Sequence, residues 1–569
     1  MKYAVIDIET TGLSRFKHGI TFIGVGLAED IGEPISKMFI YDVGYDEDVQ
    51  KFRNLCENLR KRKVSVVWQN GKFDTLFIEQ HLGIRLPISE DVMLLATAYD
   101  LAEPHGLKHM AMKYLNVPNW DITNKEKTKG TADVIVPYLQ KDVQYTWEVF
   151  CYLMKRVNDQ HTKVYQRFLK PAYRTYRDVE RAGAYIDIEA LKKARKDYNE
   201  LQKQRLGELN KRYQINWNSS AQVAKVLFED ERLQILKKSA KTGLPSADKG
   251  VLNRLAREGH DIPQMIIDYK QVNTVCKMFL NRWGDDLGTD GRIHPSFNLT
   301  NVVTGRTSCS DPNLQQVPRE KAIRKLFTAP KGRVFFEADY SQLELRIAAD
   351  YANDRAMLEI YRTGGDIHTE TARLMTGGRD PTKDERNKAK AVNFGFLYGM
   401  LAKKFVAYAF DSYRTVFTPR EAERFRELFF MKYARLLPWH HEQEILCEAM
   451  GGVANRFGRF RKLPNIYSSD RFERLGAIRR AINTPVQGTG SDLLVASMVQ
   501  LQKEHGKNGL KIVGTVHDSI IGEFEETDVD WMVPEIKRIM AHPYIMDEFG
   551  VSFKVPLVAD VGLGPWGSK

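Results

Sequence analysis

The chain has 569 residues, 43% hydrophobic and 28% charged, a balance that excludes a disordered chain or one ordinary core and predicts roughly three or four domains. Its 85 Lys and Arg against 73 Asp and Glu give a net charge of +12, which favours a polyanionic partner, while no apolar stretch is long enough to span a bilayer. The scattered cysteines Cys56, Cys151, Cys276, Cys309 and Cys447 form no CxxC pair, which excludes a zinc ribbon and a disulfide framework and predicts a reducing compartment.

Residues 1–155 alternate strand-like runs (Tyr3–Ile8, Thr21–Leu27, Val64–Trp68) with helical ones (Val49–Lys61, Asp91–Tyr99, Val134–Met154), an α/β pattern without a cleavable signal peptide. Asp7 and Glu9 lie two apart in a strand, so both carboxylates face one side. Such a pair repels itself unless a cation or a proton sits between the two. Asp74 follows the strand Val64–Trp68 in the run Asn70-Gly71-Lys72-Phe73-Asp74. Tyr138 and Asp142, four apart in a helical region, share a helix face.

Residues 156–290 read as largely helical and basic. Leu191–Arg212 carries eight Lys and Arg residues, with Tyr198, Leu201 and Leu209 as its packing stripe. Strand-like runs return over 291–350, where Val334–Glu337 leads into Asp339-Tyr340-Ser341-Gln342-Leu343-Glu344-Leu345-Arg346. Ser341 and Glu344 have the spacing of a helix capping box, so Glu344 reads equally as a cap or as a site residue. Arg386, Lys390, Phe394 and Tyr398 recur every four residues, placing two cations and then two aromatics along one helix stripe. Cations grip a triphosphate and an aromatic stacks on a base. Ile512–Val516 and Ile520–Phe524 read as a hairpin with His517 and Asp518 at its tip, and a short strand-like tail closes the chain.

The order D-x-E at Asp7 and Glu9, then Asp74, then Tyr138 and Asp142 resembles the DEDDy 3′→5′ exonucleases. The resemblance implies an RNase H-like fold in which Asp7, Glu9, Asp74 and Asp142 hold two metals and Tyr138 orients the attacking water. The Asp339–Arg346 run, the Arg386–Gly399 segment and Val516-His517-Asp518 resemble motifs A, B and C of the family A DNA polymerases. Thr304–Ser308, Gly365–His368, Arg479–Thr489 and Lys241-Thr242-Gly243 resemble further family segments, so the likeness runs along the whole chain.

The resemblance implies a multidomain α/β and α+β chain: exonuclease 1–155, connecting helices and thumb 156–290, palm 291–350 and 436–569, fingers 351–435. It implies metal ligation by Asp339, Asp518 and the backbone carbonyl of Tyr340, with two Mg²⁺ ions, or Mn²⁺, per active site. Arg386, Lys390 and His368 contact the incoming triphosphate, Phe394, Tyr398 and Gln342 line the nucleotide pocket, and Glu344 excludes a ribose 2′-OH. Arg306, Asn483, Gln487 and His517 contact the primer–template near the active site, largely in the minor groove, where nearly uniform acceptors test pair shape without demanding a sequence, and Arg479 and Lys241 also contact DNA. The implied partners are primer–template DNA and dNTPs, with a helicase, primase or single-strand-binding protein as candidates, in an intracellular replicative setting. Ser519 stands where many members have Glu, and Phe394 where some have Tyr. The layout, with no 5′-nuclease segment, is similar to bacteriophage or organellar replicases. A single-subunit RNA polymerase and a binding protein with dead sites are the rival readings.

Overall fold

A computed structural model describes residues 2–239 and 242–568. Near the N-terminus, β1 (Tyr3–Thr10), β2 (Ile20–Ala28), β3 (Lys37–Asp42), β4 (Ser65–Trp68) and β5 (Glu90–Asp91) form one sheet in the order β3-β2-β1-β4-β5. β1 is central, antiparallel to β2 and parallel to β4. Ala4, Val5, Ile6 and Ile8 are all buried, as a strand covered on both faces requires. The accompanying helices are α1 (Asp46–Lys61), α2 (Gly71–Leu82), α3 (Val92–Tyr99), α4 (Leu107–Leu115), α5 (Asn124–Lys129) and α6 (Ala132–Met154).

Periodicity finds β1, β2, β4, α1, α3 and α6 to within a few residues. It misses β3, an edge strand with only one of its six residues buried. It also misses α2, because the helix opens on Asn70 with φ 63° followed by Gly71, and both residue types read as a turn. Gly24 pairs with Asp7 across the sheet. A Cβ there would lie 2.9 Å from the side chains of Leu139 and Val143. The glycine thus lets α6 pack down on the sheet and brings Asp142 toward β1.

A second sheet runs in the order Lys511–Val516, Ser519–Glu525, Arg333–Tyr340, Ala559–Leu563. The first two strands form the expected antiparallel hairpin, with His517 at φ 56° in its turn. The third extends past the predicted Val334–Glu337, so Asp339 lies within the strand near its end. The helix Arg471–His505 spans 35 residues. In Ile188–Asn210 the expected stripe is partly corrected: Leu209 is buried together with Leu191, whereas Tyr198 and Leu201 are only half-buried.

The chain divides into two compact units. One comprises Met1–Ala182, Phe297–Cys309 and Ala338–Val561, and the other Gly183–Ser296, Ser310–Glu337 and Gly562–Lys569. The second has its own core around Leu209, Trp217, Leu227, Leu252 and Ile266. All five cysteines are buried and none is joined in a disulfide. Among the described residues no helix is long and apolar enough to cross a membrane.

Candidate active sites

β1 presents Asp7 and Glu9 on one face, and α6 brings Asp142 to them. A carboxylate oxygen from each lies within 4.8 Å of the others. Asp74, on α2, is 4% exposed and accepts the Ile8 N–H at 3.2 Å, which ties its helix to β1. Burial, then Asp74, Asp142 and Glu9, push the Asp7 carboxyl well above the ordinary carboxylate range. Burial and then Asp142 raise Glu9 to about 8. This crowding of acids in a poorly solvated place is what a bound cation relieves, and an all-oxygen donor set suits a hard divalent ion.

Two residues that sequence reasoning missed join this site. Lys108, from α4, reaches both Asp142 oxygens at 2.6 Å and the Tyr138 hydroxyl at 2.7 Å. The Trp120 indole N–H donates to Asp142 Oδ1 at 2.6 Å. Burial, then Asp142, hold the Tyr138 phenol above its usual pKa. Nothing in the short run around Lys108 distinguishes it from a lysine on any amphipathic helix.

The second site gathers at the hairpin. The Tyr340 N–H donates to the Asp518 carbonyl at 3.3 Å, which sets Asp339 beside Asp518. The Tyr340 side chain is buried and donates to the Met540 carbonyl at 2.6 Å. Burial, then Glu344, raise Asp518 to about 6, with Arg306 opposing and Asp339 adding. Ser519 is 6% exposed, and its hydroxyl donates to Asp339 Oδ1 at 3.1 Å.

Glu344 is no helix cap. Its helix, Leu343–Ala352, follows Gln342 at φ 56°, and no side chain caps it. Glu344 instead pairs with Arg306 on Oε1 and accepts the Tyr398 hydroxyl on Oε2 at 2.5 Å. Arg386 and Lys390 lie on the helix Lys383–Leu397, which a Thr382–Glu385 capping box starts. Arg386 pairs with Asp366 at 2.6 Å, and Gln342 donates to the same Asp366 oxygen at 3.3 Å. Asp366, which lies in the Gly365–His368 segment but carries no role in the sequence reading, also caps the helix Ile367–Met375 through the Thr369 N–H. Lys390 is exposed and Phe394 half-buried, its ring 5.9 Å from that of His368. His368 is 3% exposed beside Asn393, and burial lowers its pKa to about 4, so it stands there as a neutral imidazole.

Arg479, Asn483 and Gln487 follow one another by four along the helix Arg471–His505, which puts them on one face. Arg479 and His517 are exposed, Gln487 is half-buried, and Asn483 Oδ1 is buried with no hydrogen-bond partner among the described residues. Lys241 lies outside the described residues.

Residues 188–568 match the model of DNA polymerase family A, and residues 1–158 match that of a 3′-5′ exonuclease. DNA polymerase I of Pseudomonas aeruginosa is 29% identical over 98% of this chain and 62% of its own length. The thermostable DNA polymerase I of Thermus filiformis is 33% identical over 85% of this chain and 55% of its own. The chain therefore spans less than two thirds of these relatives. The POL domain of Pol1 from M. smegmatis, solved in complex with DNA primer-template and dNTP, shares the fold with a TM-score of 0.81. It is 23% identical and covers 99% of this chain and 95% of its own.

Proposed function

Because this chain belongs to DNA polymerase family A, we propose that it extends a DNA primer from dNTPs on a DNA template and removes mismatched 3′ ends with its N-terminal exonuclease. Support comes from the Asp7–Glu9–Asp142 oxygen-donor cluster and, separately in the same chain, from Asp339 lying close enough to Asp518 to raise its pKa. In this reading 1–155 is the exonuclease, 156–290 the connecting helices and thumb, 291–350 with 436–569 the palm, and 351–435 the fingers.

Asp339, Asp518 and the Tyr340 carbonyl would hold divalent cations of the Mg²⁺ class at the synthetic site, and Asp7, Glu9, Asp74 and Asp142 those at the excising site. When bound, such ions supply a lowered pKa for the attacking oxygen and charge to balance the leaving one. The protein's own groups do the rest. Arg386 and Lys390 grip the triphosphate, so Arg386 must exchange its pairing with Asp366 for a phosphate. Phe394, Tyr398 and Gln342 line the pocket, and His368 supports it as a neutral hydrogen-bonding group. Glu344 closes the space a 2′-OH would need. Arg306, Asn483, Gln487, His517 and Arg479 track the duplex. Tyr138 directs the water that attacks the terminal phosphodiester.

The test is extension of a matched and a mismatched primer by wild type, Asp7→Ala and Asp518→Ala. Asp7→Ala should lose excision and keep synthesis, and Asp518→Ala should do the reverse. Loss of both activities in either variant, or of neither, defeats the two-site reading.

A further inference from the structure

We propose that Lys108 is a positioning residue of the exonuclease centre, holding Tyr138 and Asp142 in register through its ammonium group; this rests on reading that centre as the excising site. An ammonium has three protons. Those of Lys108 are met by Asp142 Oδ1 and Oδ2, each at 2.6 Å, and by the Tyr138 oxygen at 2.7 Å. Its Nζ also lies 4.3 Å above the Tyr138 ring and 4.9 Å above that of Trp120. Trp120 in turn bonds Asp142, so the aromatic pair, the cation and the carboxylate form one closed set.

This arrangement has two chemical consequences. The Tyr138 oxygen accepts from Lys108 while its hydroxyl faces the Asp142 carboxylate, so the ammonium fixes where the phenol stands beside that acid. The same ammonium occupies both oxygens of Asp142, so a cation that ligates Asp142 competes with it. Lys127 does not duplicate the role. It stands farther from the Tyr138 ring, at 5.3 Å, and pairs with Asp121 at 2.7 Å.

The inference separates positioning from mere support of the fold. Lys108→Met removes a competitor of the metal and also releases the phenol. It should therefore bind Mn²⁺ more tightly while excising more slowly. A structural collapse would weaken both. The experiment compares Lys108→Met, Lys108→Arg and the parent. Mn²⁺ binding is followed by electron paramagnetic resonance in an Asp518→Ala background, and excision of a mismatched primer by single-turnover kinetics.

We expect the excision rate of Lys108→Met to fall about tenfold or more with KM for DNA little changed, an effect on the scale of a misplaced catalytic group. Its Mn²⁺ affinity should rise several-fold, and Lys108→Arg should recover part of the rate. Unchanged excision in Lys108→Met overturns the proposal, as does slower excision with unchanged or weaker Mn²⁺ binding. A parent chain that excises nothing would instead defeat the exonuclease reading itself.

Discussion

The Tyr398 hydroxyl donates to Glu344 Oε2 at 2.5 Å, while Arg306 takes Glu344 Oε1. A carboxylate held on both oxygens cannot swing aside, and only a rigid group can exclude an added hydroxyl by sterics. Glu344→Ala should therefore raise the ratio of ribonucleotide to deoxyribonucleotide incorporation by about 10- to 100-fold, the range a shape-selective pocket commands. Tyr398→Phe removes one tether and leaves the side chain in place, so its effect should be a few-fold. Single-turnover incorporation of rNTP against dNTP decides, and an unchanged ratio in Glu344→Ala removes it as the gate.

Asp518 is a stability liability in the metal-free protein. Its carboxyl keeps its proton up to about pH 6 when folded, against about 3.9 in an unfolded chain. Between those values the folded state binds more protons, so stability falls as pH rises through that window and stays low above it. Asp518→Asn should stabilise the metal-free chain at pH 8 by on the order of 2 kcal/mol, with the gain shrinking at pH 5 and vanishing near pH 4. Urea denaturation in EDTA at these pH values measures it, and an equal gain at every pH would show that the charge is irrelevant.

Ser519, which stands where many family members have Glu, supplies a hydroxyl to Asp339 at 3.1 Å. A hydrogen bond to a charged group contributes about 1.5–3 kcal/mol, or about 10- to 150-fold in an equilibrium. Ser519→Ala should raise the Mg²⁺ concentration for half-maximal synthesis by that order while leaving the rate at saturating Mg²⁺ nearly intact. A titration that superposes on wild type would mean that Asp339 needs no such partner.

What the sequence revealed follows the range of the interactions. Asp7 with Glu9, and Tyr138 with Asp142, are local pairs whose spacing is read from strand and helix periods, and the structure brings Asp7, Glu9 and Asp142 together. The hairpin bearing Asp518 was equally plain, because apolar runs flank a two-residue turn. Glu344 was ambiguous because one spacing serves a cap and a site; Gln342 at positive φ resolves it by leaving the helix uncapped. Lys108 and Trp120 were invisible, since their partners lie more than 20 residues away and no short pattern encodes them.

Lys72 shows the same limit and carries the last prediction. The sequence offered it only as a neighbour of Asp74, yet it forms a buried ion pair with Glu180, 108 residues on. Its side chain is 4% exposed and that of Glu180 6%. Lys72 also donates to the Phe297 carbonyl at 2.7 Å, and Glu180 accepts the Phe297 N–H at 2.6 Å. Removing one partner strands a buried charge, which costs about 3–5 kcal/mol, whereas replacing both with apolar groups is often close to neutral. Lys72→Met should therefore lower the unfolding midpoint sharply, and Lys72→Met with Glu180→Leu should recover much of the loss, less the cost of the Phe297 amide left without an acceptor. Because Lys72 sits two residues from Asp74 on α2, Lys72→Met should also slow excision of a mismatched primer more than it slows synthesis. If the double variant is no more stable than Lys72→Met, the uncompensated charge is not the cause. If excision and synthesis fall in parallel, the pair does not act through the helix that carries Asp74.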